Sequence, residues 1–267
     1  WQPNPSSRLN SPWQEIELEV VSKVIKNQKK VVANNQVVIP GKNCRFGVIS
    51  DIDDTIVPTG ATRMWEMLKN TFLHNAHSRV PFPGVSAFYQ ALHQGISAGE
   101  NNPIFYVSSS PWNLHGFLLE LLEIHDIPQG PLLLRDLGLT KEHFISGSHT
   151  QHKLIQVERI FAIIRDIPFI LVGDSGQHDP EIYLQVVKDF PGRVKMIYIR
   201  EVGSHSKQKV DQIATAIKQL GVDFLLVKNT MQAARHAAEN GWITPYEIDN
   251  IGQQKNRVEA KQKKSWV

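Results

Sequence analysis

From Phe46 onward the chain alternates short apolar runs with longer amphipathic stretches, and this alternation restricts the fold more than any other feature. The runs near 46–50, 103–108, 131–134, 168–173, 194–199 and 223–227 have strand length and lack a polar face, so they predict strands buried on both sides. The stretches between them predict helices acting as right-handed crossovers. The expected class is α/β: a parallel sheet in the middle of three layers, helices covering both faces. Sheets of this kind bind ligands outside the carboxyl ends of their strands. The polar residues that end each apolar run are therefore the candidates for chemistry.

Phe46-Gly47-Val48-Ile49-Ser50 runs into Asp51-Ile52-Asp53-Asp54-Thr55, and the alternation of an extended chain sends Asp51 and Asp53 to the same side. An isolated Asp-x-Asp is commonly a solvated turn, so its company decides. Ile104 to Val107 ends in Ser108-Ser109-Ser110-Pro111-Trp112, which puts hydroxyls and backbone amides at a strand-to-helix turn. A helix from Pro111 to His125 is expected there, with Ser110 as its N-cap. Lys153 opens the amphipathic segment Leu154 to Ile164. Phe169 to Val172 then ends in Gly173-Asp174-Ser175-Gly176-Gln177-His178-Asp179, a second acidic pair at the end of a strand.

This ordered set resembles the haloacid dehalogenase superfamily of phosphatases, whose motifs are Asp-x-Asp-x-Thr, a strand-end Ser or Thr, a Lys, and Gly-Asp-x-x-x-x-Asp. The longer strings FGVISDIDDTI, FYVSSSPWNL, HKLIQVERI, LVGDSGQHDPEIY and FPGRVKMIYIR look like one branch of it, the actin-patch-protein type phosphatidate phosphatase catalytic domain, related to the lipins, over roughly Phe46 to Thr244. The resemblance implies a Rossmann-like sheet with a small helical cap inserted at about 61–79. It implies Asp51 as nucleophile and Asp53 as the acid and base that serves the leaving group and then water. It also implies Mg²⁺ held by Asp51, the Asp53 carbonyl and Asp174, with Asp179 one layer out, accepting from Lys153 or from water around the metal. Ser108, Ser109 and Lys153 would bind the phosphoryl oxygens.

Composition is compatible with one sizeable domain: 267 residues, 41% hydrophobic, with no apolar run near the ~20 residues a spanning helix needs. A single cysteine, Cys44, excludes an internal disulfide and reads as a small buried residue beside the first strand of the sheet. His149, His152 and His178 are irregularly spaced and sit among oxygen ligands, so they are not assigned to a metal. Arg135 and Asp136 are left open between an internal ion pair and a substrate contact. Gly241 suits the C-cap of a helix from Thr230 to Asn240.

The organisation expected is a loop plus β segment over 1–40, the phosphatase domain over 41–245 and a basic tail over 246–267. The first part predicts strands at 13–22 and 36–39, either the remnant of an upstream module or an added edge hairpin. Residues 253–267 hold Lys255, Arg257, Lys261, Lys263 and Lys264 against Glu259, so the tail is +4 and the rest of a +3 chain sums to −1. Such an end reads as a solvated, disordered tail, or as a contact with anionic lipid aided by Trp266. Nothing basic elsewhere suggests nucleic acid. On the insert, Met64, Trp65, Met67, Leu68, Phe72 and Leu73 form an apolar stripe that faces either the core or a lipid surface.

Three functions follow. One is a Mg²⁺-dependent phosphatase of phosphatidate, a lipid phosphate met at a membrane surface. Another is a phosphatase of some other phosphomonoester or phosphoprotein. The last is a phosphatidate-binding module without turnover, which the intact Asp51, Asp53, Lys153 and Asp174 disfavour. Localisation is left between the cytoplasm and the membrane periphery.

Overall fold

Residues 12–19, 32–58, 79–97, 99–136, 149–203 and 207–264 are described by the structure, a computed structural model. Six parallel strands form the central sheet: β3 (Gly47–Ser50), β4 (Ile104–Pro111), β5 (Leu132–Arg135), β6 (Phe169–Asp174), β7 (Val194–Arg200) and β8 (Asp223–Val227). Their order is β5-β4-β3-β6-β7-β8. The chain fills one side of β3, then crosses back through a helix to fill the other. Every strand expected from Phe46 onward is present, because unbroken apolar runs of this length can be satisfied only between two layers of helix.

Alternate residues serve opposite layers. Val48, Tyr106, Ile170 and Met196 enter one core with α1 (Val85–Gln94), α2 (His115–Ile124), α6 (Thr230–Glu239) and Ile251 of α7 (Glu247–Lys264). Ile49, Phe105, Val107, Leu171 and Ile197 enter the other with α3 (His149–Ile163), α4 (Asp179–Asp189) and α5 (Lys207–Gln219). The helix-linked sheet puts Asp51, Ser108, Asp174 and Arg200 together at one end, the carboxyl ends of β3, β4, β6 and β7.

Two N-terminal strands, β1 (Trp13–Glu19) and β2 (Val32–Val38), pair antiparallel from Trp13 opposite Val38 to Glu19 opposite Val32. They form their own sheet, with Val38 packed against the α3–α5 core. The second strand begins earlier than expected. Ala33-Asn34-Asn35-Gln36 has poor strand propensity by itself, and the ladder to β1 recruits it.

The largest departure is at the C-terminus, where the expected disordered tail is the eighteen-residue helix α7. Its mean hydropathy conceals a stripe, Ile248, Ile251, Lys255 and Val258, at helical spacing. Ile251 is fully buried, and the Gln254 Oε1 accepts from the Ala87 N–H at 3.3 Å. Gly84, at φ 83°, lets α1 start close against Ile251: a β-carbon there would lie 3.2 Å from Ile251 Cγ2. No helix among the described residues is long and apolar enough to cross a membrane. The cap expected at about 61–79 lies almost wholly outside the described residues, as does Trp266.

Candidate active site

The loop after β3 is closed by its own backbone. Ile52 O accepts from Ile56 N at 2.9 Å and Val57 N at 3.3 Å, and Asp54 N donates to Val57 O at 2.8 Å. This turn needs a left-handed residue, supplied by Asp54 at φ 56°, a conformation that aspartate tolerates better than most. Asp51 is anchored at the sheet, its N–H donating to Val172 O at 2.9 Å. Its side chain is 1% exposed. Oδ2 accepts from Thr55 Oγ1 at 3.4 Å, and Oδ1 lies 3.0 Å from Lys153 Nζ. Burial drives the Asp51 carboxyl well above the usual range, opposed by Lys153 and reinforced by the neighbouring Asp179, Asp53 and Asp174.

Asp53 stands in different surroundings. Its Oδ2 accepts from Ser108 Oγ and Ser110 Oγ, each at 3.0 Å. Burial raises its carboxyl too, and the two hydroxyls pull it back. The sequence reading placed Ser110 at the head of a helix. Instead β4 runs on through Pro111, a 3-10 turn spans Trp112–Leu114, and α2 starts at His115 without a side-chain cap. Ser110 is therefore a site residue that was missed; the signal was its two-residue spacing from Ser108, which puts both hydroxyls on one side of the strand. Ser109, between them, is buried with no partner for its hydroxyl among the described residues.

Lys153 projects from α3 into the carboxylates, 4% exposed, with Nζ 2.6 Å from Asp179 Oδ1. Burial opposes its charge, but Asp179 and Asp51 outweigh that and hold the ammonium above the ordinary lysine range. Asp174 ends β6. Its Oδ1 accepts from Gly176 N at 2.6 Å and Gln177 N at 2.9 Å, while Oδ2 is buried without a donor among the described residues. Burial, then the charge of Asp179, pushes this carboxyl up to about 7. Asp179 opens α4, and its Oδ2 accepts from the Asp174 N–H at 3.2 Å. Only glycine fits at 173, since a β-carbon would sit 2.5 Å from Asp179 Oδ2.

Oxygens of Asp51, Asp174 and Asp179 lie within 4.8 Å of one another. These carboxylates face the single ammonium of Lys153, an excess of negative charge in a space without bulk water. The three are not equivalent. Both oxygens of Asp179 are taken by donors of the chain, whereas, among the described residues, Asp174 Oδ2 accepts no hydrogen bond and Asp51 Oδ1 faces only the ammonium of Lys153 at 3.0 Å. A hard cation with oxygen ligands fits those two. His178 is exposed beside Glu181, and no histidine joins this cluster among the described residues.

Arg200 was also missed. It ends β7, half-buried, with Nε donating to Thr55 O at 3.1 Å, Nη2 to Thr230 Oγ1 at 3.2 Å, and its guanidinium 4.1 Å from the centre of the Phe82 ring. It clamps the turn that carries Asp51. An arginine closing an apolar run gives little signal in a sequence, because most such residues reach solvent.

The family model of the catalytic domain of phosphatidate phosphatase APP1 matches residues 46–201, from the start of β3 to just beyond Arg200. Among curated proteins, phosphatidate phosphatase APP1 of Saccharomyces cerevisiae is 33% identical over 201 residues, covering 71% of this chain and 33% of that protein. An uncharacterized protein of Schizosaccharomyces pombe is 27% identical over 160 residues, covering 60% of this chain and 26% of its own length. The chain thus spans about a third or less of the length of these relatives.

Proposed function

The chain belongs to the family of phosphatidate phosphatase APP1 catalytic domains, and from that premise we propose that it hydrolyses a phosphomonoester, phosphatidate, to diacylglycerol and phosphate. The observation that carries this reading is the unequal setting of two carboxylates on one turn: Asp51 beside the ammonium of Lys153, Asp53 under the neutral hydroxyls of Ser108 and Ser110. Environments that separate two carboxyls in this way divide the roles of nucleophile and acid.

Asp51, as carboxylate, attacks phosphorus in line; its oxygen forms a bond to phosphorus as the bond to the ester oxygen breaks. Asp53, protonated, delivers its proton to that leaving oxygen. An aspartyl phosphate on Asp51 and the free alcohol result. Asp53, now ionised, takes a proton from the water that attacks the same phosphorus, and phosphate leaves as Asp51 is regenerated. Lys153 offsets charge on the phosphoryl oxygens, and Ser108 and Ser109 would donate to them. Asp179 holds Lys153 in place. Asp51, Asp174 and the Asp53 carbonyl would hold Mg²⁺, with Asp179 one layer out. The ion, when bound there, supplies the charge neutralisation that lets an anionic carboxylate meet an anionic phosphate.

The test is phosphate release from a water-soluble phosphomonoester by the wild type and by Asp51→Asn, each confirmed folded. The amide is the same shape and cannot attack, so turnover should fall on the order of 10³-fold or more. Undiminished turnover in Asp51→Asn would refute the covalent route.

A further inference from the structure

The basic C-terminus, expected as a loose tail, is helical over Glu247–Lys264, and its placement is set by its first half. Ile251 and Lys255 lie against Gly84, where α1 begins, and Gly252 faces Met231 in the first turn of α6. Both α1 and α6 follow a strand and run back along the sheet, so their first turns stand at the carboxyl ends of the strands. That is the end at which Asp51, Asp53 and Asp174 lie. The rest of α7, from Lys255 to Lys264, therefore continues past that end, and at 1.5 Å per residue it reaches about 14 Å farther.

This projecting half carries Lys255, Arg257, Lys261, Lys263 and Lys264 against the single carboxylate of Glu259, which pairs with Lys255 at 2.8 Å. Arg257 and Lys261 are exposed, and their four-residue spacing places them on one helix face. A cluster of cations at a helix C-terminus also suits the helix dipole. The remainder of the chain sums to −1, so positive charge is concentrated here.

We propose that the second half of α7 is a docking element for an anionic phospholipid surface, holding the domain with its active-site end toward the head groups. The argument is charge complementarity at a fixed place: a basic rod beside the mouth of a site that takes a phosphate carried by a bilayer. Near such a surface each lysine or arginine adds attraction that decays over a Debye length. The choice of lipid over other polyanions rests on the phosphatidate reading given above.

Deleting the segment is a poor test, because Lys255, its first residue, packs beside Gly84 next to the seat of Ile251. The variant of choice is Arg257→Gln, Lys261→Gln and Lys264→Gln together in the full chain. It should melt as the wild type does and hydrolyse a soluble phosphomonoester at the wild-type rate. Its affinity for vesicles containing phosphatidylserine should fall about 10- to 100-fold at low salt, and the difference should shrink as salt rises. On phosphatidate in vesicles its KM should rise while kcat holds. Equal vesicle binding by the two proteins, or wild-type binding that is no tighter to anionic than to neutral phosphatidylcholine vesicles, overturns the proposal. So does wild-type binding to RNA or an acidic peptide more tightly than to vesicles. If the wild type releases no phosphate from any ester, the catalytic reading fails, and the vesicle measurement still decides the docking role.

Discussion

Asp174 shows how one buried side chain links metal, pH and stability. Its carboxyl rises from an ordinary value of 3.8 to about 7, first through burial and then through Asp179. A group raised on folding contributes stability that is complete below its unfolded value and is lost as pH climbs through the folded one. In chelator, the wild type should therefore lose stability between about pH 4 and 7, by on the order of a few kcal/mol, and Asp174→Asn should show a flatter profile. A divalent cation should restore the wild type at pH 8 and do little for the variant. Parallel melting curves for the two proteins across this range would contradict the assignment. At Gly173 the test is steric. Gly173→Ala drives a methyl group against Asp179, so it should cost about 1–3 kcal/mol by urea unfolding and most of the turnover, since Asp179 orients Lys153. Arg200→Lys keeps the charge but loses the fork that spans Thr55 and Thr230, and kcat should drop ~10- to 100-fold with KM little changed. An unchanged kcat would reduce Arg200 to a packing residue.

Among the elements, α7 makes the most specific claim about the fold. Ile251→Ala should cost about 2–5 kcal/mol in chemical unfolding, the range for a large side chain removed from a closed seat. A cost near zero would mean that the helix does not dock on α1. The contrast between α7 and the central strands explains what a sequence discloses. Val48 to Ser50, Ile104 to Val107 and Phe169 to Val172 must be buried on both faces, so their pattern is continuous and legible. Helix α7 needs only a narrow stripe at Ile248, Ile251 and Val258, which five basic residues mask on average. Asn34 to Gln36 of β2 likewise follow a neighbour across the ladder rather than their own propensity. Asp51, Asp53, Lys153, Asp174 and Asp179 lie close together, as their order along the chain suggested: Asp51 and Asp53 just beyond β3, Asp174 at the end of β6 and Asp179 at the start of α4, while Lys153 lies in the second turn of α3 rather than at its start. Ser110 and Arg200 were not legible, because their roles depend on side chains distant in sequence, Asp53 and the Thr55 peptide.

For the whole molecule, the sheet gathers residues from four strands at one end, while α7 carries its basic half past that same end. On the docking proposal, catalysis and surface contact should be separable by mutation, because Asp51, Lys153 and Asp174 are buried while Arg257 and Lys261 are exposed. Removal of divalent cations should abolish turnover on every substrate, soluble or lipid, and Mg²⁺ should restore it; full activity in excess chelator would exclude the metal from the reaction. Substrate identity is decided by phosphate release from phosphatidate in mixed micelles with Mg²⁺, measured for the wild type and for Asp51→Asn beside a panel of soluble phosphate esters and a phosphopeptide. The wild type should release phosphate from phosphatidate faster, per accessible phosphate, than from any soluble ester, and Asp51→Asn should release none above background. A soluble ester or phosphopeptide outpacing phosphatidate by a wide margin, or an active Asp51→Asn, would contradict the assignment of this chain as a phosphatidate phosphatase acting through Asp51.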